Sequence, residues 1–418
     1  LAVEAARACQ THAPQQLTLA STSLPFADRS NAGLVAAALD WPNHLATLDV
    51  TGSQRAGSSA LIAATQMVRA STVIASDSRL ARIGGNAELS YGAAATAVRV
   101  ERAASTAIAE VHAANSVAAD FVDHYRASDA LFDYGFEERW VREAGVFELV
   151  PSAITATLAR AGIEAQAVRH LAMSGSTAMV QTLAKQCGLT AAATDASVQR
   201  DCGDAGVAGP LLQLVGALER AAAGEWILLV AFGQGVDCLL LRRGAAPLDS
   251  PLARALARKR DETSYVRYLS HAGLAEVDFG MRAERDHRTA QSVAWRKRRV
   301  VTGFVGGKCS ACGTVQYPRA RVCVSPACRQ TDTQTDHRLA DTPGRVKTFT
   351  EDWQAYSPRP PYCYGNVEFV DGGNLLMEFT DVDPGEIHVG DDVRFVFRIK
   401  DFDRVRGFRR YFWKATKA

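Results

Sequence analysis

Nine cysteines lie along the 418 residues, and four of them crowd into a short C-terminal stretch. Cys309-Ser-Ala-Cys312 and Cys323-Val-Ser-Pro-Ala-Cys328 form two short-spaced pairs with ten residues between them. Each such loop lets both thiolates point inward, so two loops complete a tetrahedron of four sulfurs, the pattern of a structural zinc site with no open coordination position. The metal would supply folding energy to a ribbon too small to hold itself together. The bland alternative is four unrelated buried cysteines. The wider second loop is where zinc retention is most at risk. Cys9, Cys187, Cys202, Cys238 and Cys363 stand singly in apolar or small-residue contexts, which fits a reducing cytoplasm better than a secreted disulfide framework.

The elements that must position such chemistry follow from composition and periodicity. Hydrophobic residues make up 47% of the chain and the formal charge is only +2, so a globular protein is expected, with no nucleic-acid stripe and no polybasic membrane anchor. No apolar run approaches the roughly 20 residues that span a bilayer. The abrupt start at Leu1, inside the amphipathic pattern LAVEAARAC, suggests that a leading segment precedes it.

LTLAST, STVIASD, HLAMSG and WILLVAFGQG read as buried strands, and NAGLVAAALD, SSALIAATQMVRA, SAITATLARAG and GPLLQLVGALERAAAG have helical spacing. Strands alternating with helices predict a layered α/β domain over 1–245. TGSQRAGSSALIAA and CGDAGVAGPLLQLVGAL suggest two similar halves. Residues 246–303, with LARALARKRDETSYVRYL and ERDHRTAQSVAWRKRRV, read as a charged helical connector. Its basic clusters are most simply a solvated face, the alternative being a contact for a ligand's phosphates. After a zinc ribbon over 304–332, the stretches RVKTFTEDW, YCYGNVEFV, NLLMEFTDV, DDVRFVFRI and RRYFWKAT predict a small five-stranded barrel of OB type over 333–418.

GGKCSACGTVQYPRARVC, AYSPRPPY and the closing RRYFWKA make residues 255–418 resemble the zinc-ribbon plus OB-fold family that accompanies acyl-CoA thiolases and hydroxymethylglutaryl-CoA synthase-like enzymes. The resemblance implies acyl-CoA chemistry and association with thiolase subunits. An OB barrel can instead bind single-stranded nucleic acid, which would need Trp353, Tyr356, Tyr362, Tyr364 and Phe397 on an open face.

Residues 1–245 resemble the thiolase superfamily, nearest to hydroxymethylglutaryl-CoA synthase and the type III ketoacyl synthases, through ASTSLPFADRSNAGLVAAALD, TGSQRAGSSALIAA, QRDCGDAGVAGPLLQLVGALE and LLVAFGQGVDCLLL. The implied fold is a layered α/β/α/β/α domain. Its Gly-x-Gly strand turn falls on Gly233 and Gly235, whose backbone should approach the reaction centre. The family's nucleophilic Cys falls on Gln54, with Ser53 beside it; its His falls near Ser174, with His170 earlier on the strand; its Asn falls on Asp204. These positions therefore read as degenerate. Cys202 could be a relocated nucleophile, or simply a small buried cysteine.

Two functions follow from the resemblance. The first is a non-catalytic or accessory subunit of a hetero-oligomeric β-oxoacyl-CoA thiolase. It would shape the CoA ester site of a catalytic partner acting on an aromatic or succinyl-type substrate such as 2-benzoylsuccinyl-CoA. The second is a self-sufficient retro-aldolase or decarboxylase acting on an acyl-CoA, with Asp204 as base and Gln54 as donor to the enolate oxygen.

Overall fold

A computed structural model describes the chain except residues 10–11, 103–105, 279–287 and 358. Part of the expected connector and Pro358 of AYSPRPPY lie outside the described residues. The described chain divides into two compact units, Leu1–Gly33 with Asn43–Asp261 and Leu34–Pro42 with Glu262–Ala418.

In chain order the first half runs α1 (Ala2–Cys9), β1 (Gln16–Ala20), α2 (Asn31–Ala38), β2 (Ala46–Val50), α3 (Ala56–Gln66), β3 (Ser71–Ser78), α4 (Asn86–Ser90) and β4 (Ala93–Val100). Next come β5 (Ala109–Ala118), the short hairpin β6 (His124–Tyr125) and β7 (Tyr134–Gly135), α5 (Glu138–Trp140), a π-helical turn over Val141–Val146, and α6 (Phe147–Ala161). The second half continues with β8 (Val168–Met173), α7 (Thr177–Gln186), β9 (Ala193–Thr194), α8 (Ser197–Cys202), α9 (Gly209–Arg220), β10 (Trp226–Phe232), β11 (Gly235–Arg243) and α10 (Pro251–Ala257).

Two sheets result, in the orders β2-β1-β3-β4 and β5-β11-β10-β8-β9. In each, a central strand (β1 or β8) pairs in parallel with a neighbour on both sides, and an antiparallel strand follows (β4 on β3, β11 on β10). Four strands of each sheet thus share one topology, and β5 extends the second sheet alone. α3 and α9 share one apolar core with residues of both sheets, among them Val73 and Ala75 of the first and Ile227, Leu229 and Leu239 of the second. Helices α6 and α7 cover the other face of the second sheet, and α1 packs on β3 and β4. These layers form the expected α/β/α/β/α domain. β1, β3 and β10 are buried along nearly their whole length, as strands covered on both faces must be.

Small residues permit this packing. A Cβ on Gly57 of α3 would sit 2.9 Å from both the Ala75 Cβ and the Val207 carbonyl oxygen, closer than real contacts allow. Behind the start of α3, the fully buried Asp237 carboxylate on β11 accepts from Arg55 (3.1 Å), Ser58 (2.8 Å), Ser59 (2.6 Å) and Ser116 (2.7 Å). Four donors compensate the desolvation of this charge and fix the helix start to the second sheet.

The second unit contains α11 (Tyr265–Ala272), α12 (Gln291–Arg296) and α13 (Arg298–Val301). A ribbon follows, β12 (Val305–Cys309), β13 (Val315–Gln316) and β14 (Gln334–Arg338), in the order β13-β12-β14. The barrel has β15 (Gly344–Val346), β16 (Thr350–Asp352), β17 (Tyr362–Phe369), β18 (Asn374–Glu378), β19 (Asp392–Asp403) and β20 (Phe408–Lys417). The single strand expected over RVKTFTEDW is two short ones, β15 and β16, which pair with β17 at different points. The path β18-β17-β15-β19-β20 returns on itself where Phe379 bridges Ala415. Its core is aromatic: Phe304, fully buried, meets Phe395 and Phe412 edge-on at 5.6 Å and stacks over Trp413 at 6.3 Å. Phe397 belongs to this core, against Tyr411 and Trp413, whereas Trp353 is exposed.

Candidate functional site

In the ribbon, β12 and the turns around it bring the four cysteine sulfurs within 4.8 Å of one another, with Cys309–Cys328 at 3.8 Å and Cys312–Cys323 at 3.6 Å. The edge of a tetrahedron with zinc–sulfur arms of about 2.3 Å is about 3.8 Å, so the donor set fits this metal. A disulfide would require about 2.05 Å. The Thr333 hydroxyl, 3.2 Å from the Cys309 sulfur, helps bring that thiol down to about 6, toward the thiolate form that a metal requires.

In the first unit the candidate centre is the turn that opens α3. Ser53 donates its hydroxyl to the Gly233 carbonyl (2.7 Å), and a Cβ on Gly233 would lie 3.3 Å from the Gln54 Cβ. The Gly-Gln-Gly turn between β10 and β11 therefore lies directly against Gln54. Gly235 has φ +124° and a hypothetical Cβ 2.3 Å from the Val117 carbonyl oxygen, a conformation and clearance that demand glycine.

His124, the neighbour of Gln54, and its partner Asp123 were not foreseen. The Gln54 amide nitrogen is 3.0 Å from Nε2 of His124, and His124 Nδ1 is 2.9 Å from Asp123 Oδ2. The Gln234 amide donates to the His124 carbonyl (2.9 Å), joining the β6–β7 hairpin to the glycine turn. At its other end Arg126 pairs with Asp133 (2.5 Å) and donates to the Thr22 carbonyl. Nothing in the spacing of residues 54 and 124 announces their meeting, and the Asp-His pair does not stand out in a stretch that also holds Asp120, Arg126, Asp129, Asp133, Glu137, Glu138 and Arg139.

The other two positions singled out by the resemblance, Asp204 and Ser174, have different partners. Asp204 pairs with the buried guanidinium of Arg79 (2.8 Å) and accepts from the Gly206 N–H (3.0 Å). Arg79 lies 3.9 Å over the Tyr91 ring, whose hydroxyl donates to Asp133 (3.0 Å), and burial pushes the Tyr91 phenol up to about 12. Ser174 follows β8 with its hydroxyl buried against Gly209, where a Cβ would come within 2.7 Å. His170, inside β8, meets Glu225 at 3.0 Å. Cys202 ends α8, at the helix pole that does not favour a thiolate, and burial raises its thiol.

Comparisons with known proteins agree with these two architectures. Residues 303–333 match the model of the ChsH2 rubredoxin-like zinc ribbon domain, and 337–398 match that of the ChsH2 C-terminal OB-fold domain. The C-terminal module is thus similar to the ChsH2 zinc ribbon and OB-fold domains. A DUF35 domain-containing scaffold protein of Methanothermobacter thermautotrophicus is 28% identical over 107 residues, 25% of this chain and 78% of that protein. The corresponding protein of Methanocaldococcus jannaschii is 27% identical over 110 residues, 25% of this chain and 74% of that protein.

Among solved structures, MvaS in complex with 3-hydroxy-3-methylglutaryl coenzyme A aligns with a TM-score of 0.57 and 16% identity, covering 69% of this chain and 83% of that one. HMG-CoA synthase complexed with CoA gives 0.56 and 15%, covering 69% and 82%. The 3-oxoacyl-(acyl carrier protein) synthase III of Pseudomonas aeruginosa PAO1 gives 0.52 and 16%, covering 59% and 84%. These likenesses establish a thiolase-like fold for the large N-terminal domain. Among the described residues, no helix is long and apolar enough to cross a membrane.

Proposed function

We propose that this chain is an accessory subunit of a hetero-oligomeric acyl-CoA thiolase, contributing to a CoA ester site while a partner subunit supplies the nucleophile. One observation carries the reading. At the turn where a condensing enzyme presents its cysteine, this chain presents Gln54, hydrogen-bonded to His124, and a Ser53 hydroxyl held by the Gly233 carbonyl. Neither is a thiol, and an amide cannot form an acyl-enzyme. The ChsH2-type module supports the same reading, because relatives matched over about a hundred residues are described as scaffold proteins. The reaction we propose for the assembly is cleavage of a β-oxoacyl-CoA, of aromatic or succinyl type such as 2-benzoylsuccinyl-CoA.

The alternative of a self-sufficient retro-aldolase with Asp204 as base is less well supported, since that carboxylate pairs with Arg79. The test of the accessory role is to purify the tagged full chain from its native cells and identify what accompanies it. A stoichiometric thiolase bearing its catalytic cysteine, with thiolysis present only in the pair, is the expected result. Full thiolysis by the chain alone would refute it.

A further inference from the structure

We propose that Asp123, His124 and Gln54 form a proton-transfer site that enolises a 3-oxoacyl thioester. The substrate class rests on the CoA-ester reading above, whereas the site itself rests on geometry. With Nδ1 2.9 Å from the Asp123 carboxylate, the proton of the neutral imidazole belongs on Nδ1, which leaves the Nε2 lone pair as the acceptor. That lone pair faces the Gln54 amide at 3.0 Å, at the turn walled by Gly233. The second Asp123 oxygen, Oδ1, is buried and has no hydrogen-bond partner, so the orienting pull of the carboxylate is directed to the imidazole through Oδ2. Gln234 and the Arg126–Asp133 pair hold the hairpin that carries His124 from both ends. His124 nevertheless keeps about a fifth of its side chain open to solvent (19%), so the ring is reachable.

A base beside an amide donor suits a group that loses a proton at one atom and gains charge on an oxygen close by. An imidazole is a weak base, so the carbon acid must be activated. A Cα between a thioester and a 3-oxo carbonyl meets that requirement, and the Cα of a simple acyl thioester does not. In the step, Nε2 takes the proton from Cα. The C–H electron pair becomes the carbon–carbon double bond of the enolate, and the carbonyl π pair moves onto oxygen. Gln54 must turn from Nε2 as the substrate enters, which frees the lone pair for the Cα proton, and it then donates an N–H to that oxygen. The reverse returns the proton from the imidazolium to Cα, so atoms and charge balance and no oxidant or co-reactant is needed. His124 would be the catalytic base, and Asp123 a positioning residue.

The experiment follows hydrogen–deuterium exchange at C2 of acetoacetyl-CoA in D2O by proton NMR with the full chain, alongside calorimetric binding of the same compound. Exchange at least about 100-fold above the buffer rate is expected. His124→Gln should return exchange to the buffer rate with an unchanged melting curve, and Gln54→Ala, which keeps the base, should lower it by about 100-fold. Asp123→Ala should lower exchange and mix the two imidazole tautomers, read from the nitrogen-15 shifts of His124, a change that a merely structural contact would not couple to rate. Binding without exchange, or His124→Gln exchanging like the parent, overturns the proton-transfer site and leaves the CoA-ester reading standing. Failure to bind acetoacetyl-CoA refutes the CoA-ester reading for this chain and the proposal with it.

Discussion

Nε2 of His124 and the amide nitrogen of Gln54 are 3.0 Å apart, although 70 residues separate them in the chain. The contact sets an imidazole against the turn that leads into α3, beside the glycine turn between β10 and β11. Gln54→Cys would place a thiol there, next to a base and at the start of an eleven-residue helix. Both features favour the thiolate. The new thiol should therefore react with iodoacetamide at pH 7 at least about tenfold faster than Cys202, whose thiol burial raises. Peptide mapping after timed alkylation reads the two rates, and equal rates would refute the geometry.

The position of Gln54 depends on Asp237, which gathers Arg55, Ser58, Ser59 and Ser116 around a buried charge. Asp237→Ala removes the acceptor from all four and leaves the Arg55 guanidinium, mostly buried, without its anion. A loss of about 3 kcal/mol is expected. Urea denaturation of the two proteins measures it.

Zinc should be present at one ion per chain by elemental analysis and should hold the ribbon together. Its removal by a strong chelator, or Cys309→Ser, should abolish the folding of the β12–β14 ribbon, because binding energy at such a site is folding energy. The change is read as loss of amide protection at residues 305–338, with the first unit retaining its protection.

Tyr91 gives a pH dependence. Burial raises its phenol to about 12, from an ordinary value near 10. Below pH 10 it is protonated in both folded and unfolded states and contributes no pH dependence. Between 10 and 12 the unfolded chain releases its proton while the folded chain keeps it, so stability falls as pH rises through this window. Tyr91→Phe should flatten that fall, measured by denaturant titration at pH 9 and 11.

Sequence and structure agree where the signal is local. The four cysteines declare their site through two short loops, and the strands buried on both faces, β1, β3, β8 and β10, show as apolar runs. Among the strands that went unread, β2 and β5 lie at sheet edges with much of their length exposed, so they carry polar residues and no such run. The same limit applies to the site. Gln54 and the Gly233 turn were legible because their segments, TGSQRAGSSALIAA and LLVAFGQGVDCLLL, resemble those of the thiolase superfamily. His124 was not, because a pairing across the fold leaves no trace in spacing. Asp204, read as a possible base, is placed by Arg79, a partner 125 residues away.

The central claim is that this chain offers no nucleophile for acyl transfer. It is tested most directly by incubating the full chain with acyl-labelled acetoacetyl-CoA and free CoA, quenching in acid, and measuring covalent label by mass spectrometry. The account predicts no acylated residue on this chain. An acyl adduct formed at catalytic stoichiometry on Cys202, or on any other side chain of this chain, would contradict it.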